Sequence, residues 1–162
     1  MTSRASVAAG IAFAIITSFF TLTVETAAQG KGARSIEGSW LVRLTPASPT
    51  PPFDELITFG AGGGITESNN FPFFTLGLSA GPGHGNWRYE GGQVFRFTFL
   101  KLLYLPTGQA AGTLKASGAV TYSSAFDTWS GPANVSICDN QGNNCDQIDV
   151  TMGEATRISS DD

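Results

Sequence analysis

In "QVFRFTF", residues 93–99, Phe95, Phe97 and Phe99 alternate with Arg96 and Thr98. A period of two places the three phenyl rings on one face and the polar groups on the other, an arrangement a strand presents and a helix does not. The same period returns along the chain. "SWLVRLT" sets Trp40, Val42 and Leu44 against Leu41, Arg43 and Thr45, and "GTLKASGAVTY" sets Leu114, Ala116, Gly118 and Val120 against Lys115 and Ser117. Glycine clusters punctuate these runs: "GAGGG" separates "DELITF" from "GITESN", and Gly91-Gly92 divides "GNWRYEGGQVFRFTFLKLLY". "PASPTPP", residues 46–52, is excluded from any central strand because proline lacks the ladder donor. With "WSGPANVSIC" and "CDQIDVTM" the count reaches about eight strands, most joined by tight turns, and no useful helical periodicity competes. Strands in this order predict an all-β, up-and-down antiparallel barrel, which removes exposed edges; a β-sandwich would call for longer Greek-key crossovers.

The first residues carry a different signal. Arg4 is followed by an uncharged run from Ala5 to Val24 and then by the small residues Thr26-Ala27-Ala28. Residues 1–28 therefore read as a secretory signal peptide, 29–36 as a polar linker and 37–159 as the barrel. A membrane association is expected only if the first segment stays uncleaved, and the compartment implied is secreted or periplasmic. The two cysteines agree. Cys138 and Cys145 flank a turn rich in Asn, Gly and Asp, and an even pair in an exported chain predicts a disulfide. Placing Val135 and Ile137 inward on one strand, and Ile148, Val150 and Met152 inward on the next, turns both cysteines to the same outer face. With a formal net charge of −4 and no basic cluster, the chain lacks the footprint of a nucleic-acid binder.

Gly38-Ser39-Trp40 at the head of the first strand resembles the G-x-W motif of the calycins, the lipocalins and their relatives. The resemblance implies a lipocalin-like barrel in which Trp40 closes one end. It also implies that a cationic side chain near the end of the last strand, here Arg157, lies across the indole. Both residues are then structural.

The candidates for chemistry are few. Ile57, Phe59 and Ile65 face inward by alternation, and Glu67 follows them, so a carboxyl is expected inside an apolar barrel, where burial raises its pKa. His84, in a glycine-rich approach to a strand, and Tyr89, in phase with Trp87, are the other polar candidates. A ligand would rest on Val42, Phe95, Phe97, Phe99 and Leu114, with Tyr104 as a further pocket residue. Two thiols and one distant histidine make no metal set, and "GAGGG" lacks the Lys-Ser/Thr of a phosphate loop, so no metal or cofactor is expected. The connection "NNFPFFTLGLSAGPG" carries Phe71, Phe73, Phe74, Leu76 and Leu78. Each large apolar side chain is worth about 1.5–3 kcal/mol when buried, so this segment should be covered, as a lid on the barrel mouth or as a self-association surface over Phe71–Leu78. The function this supports is binding of a small apolar or amphipathic molecule. The alternatives are a small barrel enzyme of isomerase or cyclase type using the lumen acid, and a barrel filled by its own side chains that serves as a structural or interaction module.

Overall fold

A computed structural model of the chain describes residues 35–159; the signal peptide reading lies outside them. Eight strands follow in order: β1 (Gly38–Pro46), β2 (Phe53–Phe59), β3 (Gly64–Asn69), β4 (Ser79–Gly91), β5 (Val94–Tyr104), β6 (Ala110–Tyr122), β7 (Thr128–Cys138) and β8 (Asp146–Arg157). Each pairs antiparallel with its neighbours in sequence, and β1 pairs with β8, so the sheet closes as an eight-stranded barrel consistent with a calycin-like fold. β4 begins at Ser79, earlier than the proline and glycines of "SAGPG" suggest; a register shift between Ala80 and Gly83 accommodates them.

The barrel has a packed end and an open end. At the packed end Trp40, Phe59, Trp87, Phe95, Tyr122 and Trp129 interlock, mostly edge to face, with centroid separations between 5.0 and 6.4 Å. The indole of Trp40 is fully buried and donates from Nε1 to the carbonyl of Ile36 at 2.8 Å. The guanidinium of Arg157 lies 4.2 Å from the Trp40 ring centroid and donates to the carbonyls of Glu37 and Ser35 at 2.7 and 2.8 Å. Gly38 makes that approach possible: its φ of 120° suits only glycine, and a Cβ there would meet Arg157 Nη1 at 2.7 Å. Ile36, at the end of the stretch read as a linker, is fully buried in the same cluster.

The disulfide joins Cys138 to Cys145 at the other end. Asp139 organises the turn it spans, accepting from the N–H groups of Asn143 and Gln141 and from the Asn144 amide. The Asn143 bond foremost holds the Asp139 carboxyl below the usual carboxylate range. The facing assigned to β8 is corrected. Thr151 and Ala155 are buried there, while Val150 and Met152 are exposed; Ile148 is 57% exposed but borders the cavity. The β7–β8 ladder passes from Asn134↔Val150 and Val135↔Asp149 to Ser136↔Gln147, so Ile148 is an inserted residue and the alternation changes phase across it. Bulk inside dictates the phase. A Cβ at Gly153 would already lie 3.4–3.5 Å from Trp129, Val42 and Leu44, so a large β8 side chain has no room there.

Candidate functional site: an acid at the wall of an apolar cavity

Above the aromatic floor the barrel encloses a cavity of about 280 Å³. Its wall is largely apolar and includes Leu44, Ile57, Phe97, Phe99, Leu103, Leu114, Val135 and Ile137, with Trp129 also bordering it. The Phe-rich connection lies against its mouth. Phe71 packs on Phe53 and Phe73 (centroids 5.1 and 4.7 Å), and Phe71, Phe73, Leu76 and Leu78 all border the space. The short 3₁₀ turn Phe73–Leu76 leaves Phe74 outside, 78% exposed.

Three strands bring ionisable groups to one patch of this interior. In "DELITF" the alternation that buries Ile57 and Phe59 also buries Glu55; in "GITESN" it buries Ile65 and Glu67; in "FRFTFLKL" it buries Phe95, Phe97, Phe99 and then Lys101. Lys101 Nζ donates to Glu67 Oε1 at 3.0 Å, and Asn69 Nδ2 donates to the same oxygen at 2.9 Å. This ion pair spans a strand: in the register Glu67 is opposite Gly83 of β4, and Gly83 is opposite Lys101 of β5. A Cβ at Gly83 would collide with Glu67 Oε2 and stand 2.9 Å from the Phe99 ring. Gly83→Ala is therefore expected to displace a carboxylate pinned by two donors, at a cost of about 1–3 kcal/mol by urea denaturation. Unchanged stability would mean that Glu67 has room to move.

Glu55 and Asn69 are polar groups that this patch shows to the cavity. Burial first, then the Glu67 charge and a hydrogen bond with Glu67, hold the Glu55 carboxyl well above the usual range, against the pull of Lys101. Glu67 Oε2 is buried and has no hydrogen-bond partner among the described residues. The sign of the consequence for Glu55 is fixed. As pH rises past the ordinary carboxylate range the unfolded chain releases the Glu55 proton while the folded chain retains it, so the folded state loses stability relative to the unfolded. The urea midpoint of Glu55→Gln is expected to fall less than that of the wild type between about pH 5 and pH 8. Parallel falls would place Glu55 in water.

The other sequence candidates separate clearly. Phe97, Phe99 and Leu114 border the cavity, whereas Val42 and Phe95 are buried in the packed cluster. Tyr104 is not among the residues around the space; Leu103, its neighbour, is. His84 is exposed on β4, opposite Thr66 and Leu100. Tyr89 is corrected from the lumen to the outside of the packed end: it is 55% exposed, and its hydroxyl donates to the Gly92 carbonyl at 2.9 Å. Glu67 is inside as expected, but it is bound to Lys101 and does not border the cavity. Glu55 and Lys101 were legible by the same alternation, two residues before Ile57 and two after Phe99.

Fold and site together define a class, a closed antiparallel barrel around an apolar cavity with one buried acid at its wall. Comparison of the chain with protein-family models, with curated proteins and with solved structures gave no match in any of the three.

Proposed function

We infer that the protein is a lipocalin-like barrel that binds a small apolar or amphipathic molecule. The observation that carries this reading is the cavity of about 280 Å³, bounded by hydrocarbon and by the Phe71–Leu78 cover, with Glu55 and Asn69 as hydrogen-bonding groups in its wall. An apolar space of this kind gains free energy from an apolar guest, and the few polar groups fix its orientation. A protonated Glu55 selects a guest that offers a hydrogen-bond acceptor. A barrel filled by its own side chains would leave no space of this size, which sets the structural-module alternative lower. The disulfide supports a secreted or periplasmic site of action.

Native mass spectrometry of the protein purified from the secreting cell tests the reading. A small molecule retained in the native ion and released on unfolding is expected. In solution, N-phenyl-1-naphthylamine should bind saturably to delipidated wild type, and Ala133→Leu, which fills part of the cavity wall, should abolish that binding. A bare native ion with equal probe response in both proteins would sink the proposal.

A further inference from the structure

Binding of an apolar molecule does not by itself call for an ion pair buried beside the cavity. A buried ion pair is commonly no more stabilising than hydrocarbon of the same volume, yet Glu55, Glu67 and Lys101 are each less than a tenth exposed. They arrive from three different strands, with Gly83 clearing the path between two of them. Within the trio the roles differ. Glu67 and Lys101 are bound to each other, while Glu55 borders the cavity.

We propose that Glu55 is a catalytic acid–base that shifts a proton on an unsaturated carbonyl compound held in the cavity, so that the barrel works as an isomerase. The proposal rests on the binding reading above. In the first step the Glu55 carboxyl donates its proton to the carbonyl oxygen of the bound molecule; the Glu55 O–H bond breaks as the substrate O–H bond forms. The substrate becomes a hydroxy-stabilised cation and Glu55 a carboxylate. That carboxylate then takes a proton from a carbon next to the carbonyl or from the far end of the conjugated system. The C–H electron pair becomes the new C=C bond, the carbonyl π pair settles on oxygen, and a dienol results. Return of the proton to a different carbon, with loss of the hydroxyl proton to Glu55, moves the double bond. Protons and electrons balance without oxidant, reductant or second substrate.

The surroundings suit that cycle. The trio is neutral with Glu55 protonated and carries −1 after transfer, facing the cation it has just made in a site of low dielectric. Around Glu55, β3 presents Glu67 and Asn69, β5 presents Lys101, and β1 places the aliphatic Val42 opposite in the register. Asp149 of β8, also on the cavity wall, accepts from the backbone and hydroxyl of Ser48. Neither His84 nor Tyr89 borders the cavity, so Glu55 serves in both directions.

β-Ionone, a compact conjugated ketone, is the probe. Binding is read by quenching of tryptophan fluorescence, since Trp129 borders the cavity, and proton transfer by deuterium uptake from D₂O into the ketone. Wild type is expected to bind and exchange. Glu55→Gln, whose amide still offers a donor, should keep saturable binding and exchange about 100-fold more slowly or worse. The wild-type rate should fall on the alkaline side as Glu55 ionises. In Glu67→Gln that limb should move to lower pH, because Glu55 then becomes the counter-ion of Lys101. Saturable binding with exchange no faster in wild type than in Glu55→Gln overturns the catalytic proposal and leaves the binding reading standing. Absence of saturable quenching in wild type overturns both.

Discussion

Lys101→Met is expected to remove about 3–5 kcal/mol of folding stability, the usual cost of stripping the partner from a buried charge. Methionine retains most of the aliphatic stem, so the change isolates the ammonium. Left behind is Glu67, 1% exposed, with Asn69 as its remaining donor and an Oε2 that already lacked one. Against the roughly 5–15 kcal/mol that holds a domain together, this is a large fraction. The double variant Lys101→Met/Glu67→Gln should recover most of the loss, because removing both members of a buried pair avoids the orphaned charge. Urea denaturation of the four proteins in the cycle measures it. Equal losses for the single and double variants would show that Lys101 acts by packing alone, including its position 5.7 Å from the Phe73 ring of the cover.

How far the sequence reaches depends on whether strand alternation is interrupted. Where it runs unbroken, as from Phe95 to Lys101 or from Glu55 to Phe59, face follows from parity, and the barrel with its aromatic floor is legible. The alternation that turns Glu67 inward carries equally to the charged positions 55 and 101. Where a residue is inserted, as Ile148 is in β8, parity beyond it reverses and hydrophobicity misleads. There the interior is decided by the volume already taken by Trp129, Val42 and Leu44, which no local pattern in β8 records. Tyr89 fails for a related reason. Its phase with Trp87 points it inward, but it lies two residues from Gly91 at the end of its strand, past the floor, with its ring 5.1 Å from Phe95. The pairing of Glu67 with Lys101 is nonlocal, 34 residues apart in sequence, and depends on a glycine in the strand between them.

Trp40→Ala tests the opposite end of the molecule and is expected to cost about 3–5 kcal/mol, the range for deleting a large aromatic from a packed core. Trp40 is in ring contact with Tyr122 and Trp129 at 5.6 and 6.1 Å, so the void would open within the aromatic floor. The same deletion releases the Ile36 carbonyl from its indole donor and takes away the surface beneath Arg157. Trp40→Phe separates these effects: it preserves an aromatic face for the guanidinium, a contact worth about 0.5–2 kcal/mol, and discards the Ile36 hydrogen bond. A loss of about 1–2 kcal/mol is expected for that variant, since its remaining gap is smaller than the one left by alanine. Hydrogen exchange at residues 36–40 should quicken in both variants, because Arg157 and Trp40 tie that segment to the barrel through the carbonyls of Ser35, Ile36 and Glu37. Probe binding by Trp40→Phe should match wild type, for Trp40 does not border the cavity whereas Trp129 does. If Trp40→Phe instead abolished binding at full stability, the floor would be part of the ligand site, and the division of the barrel into a structural end and a working end would be wrong.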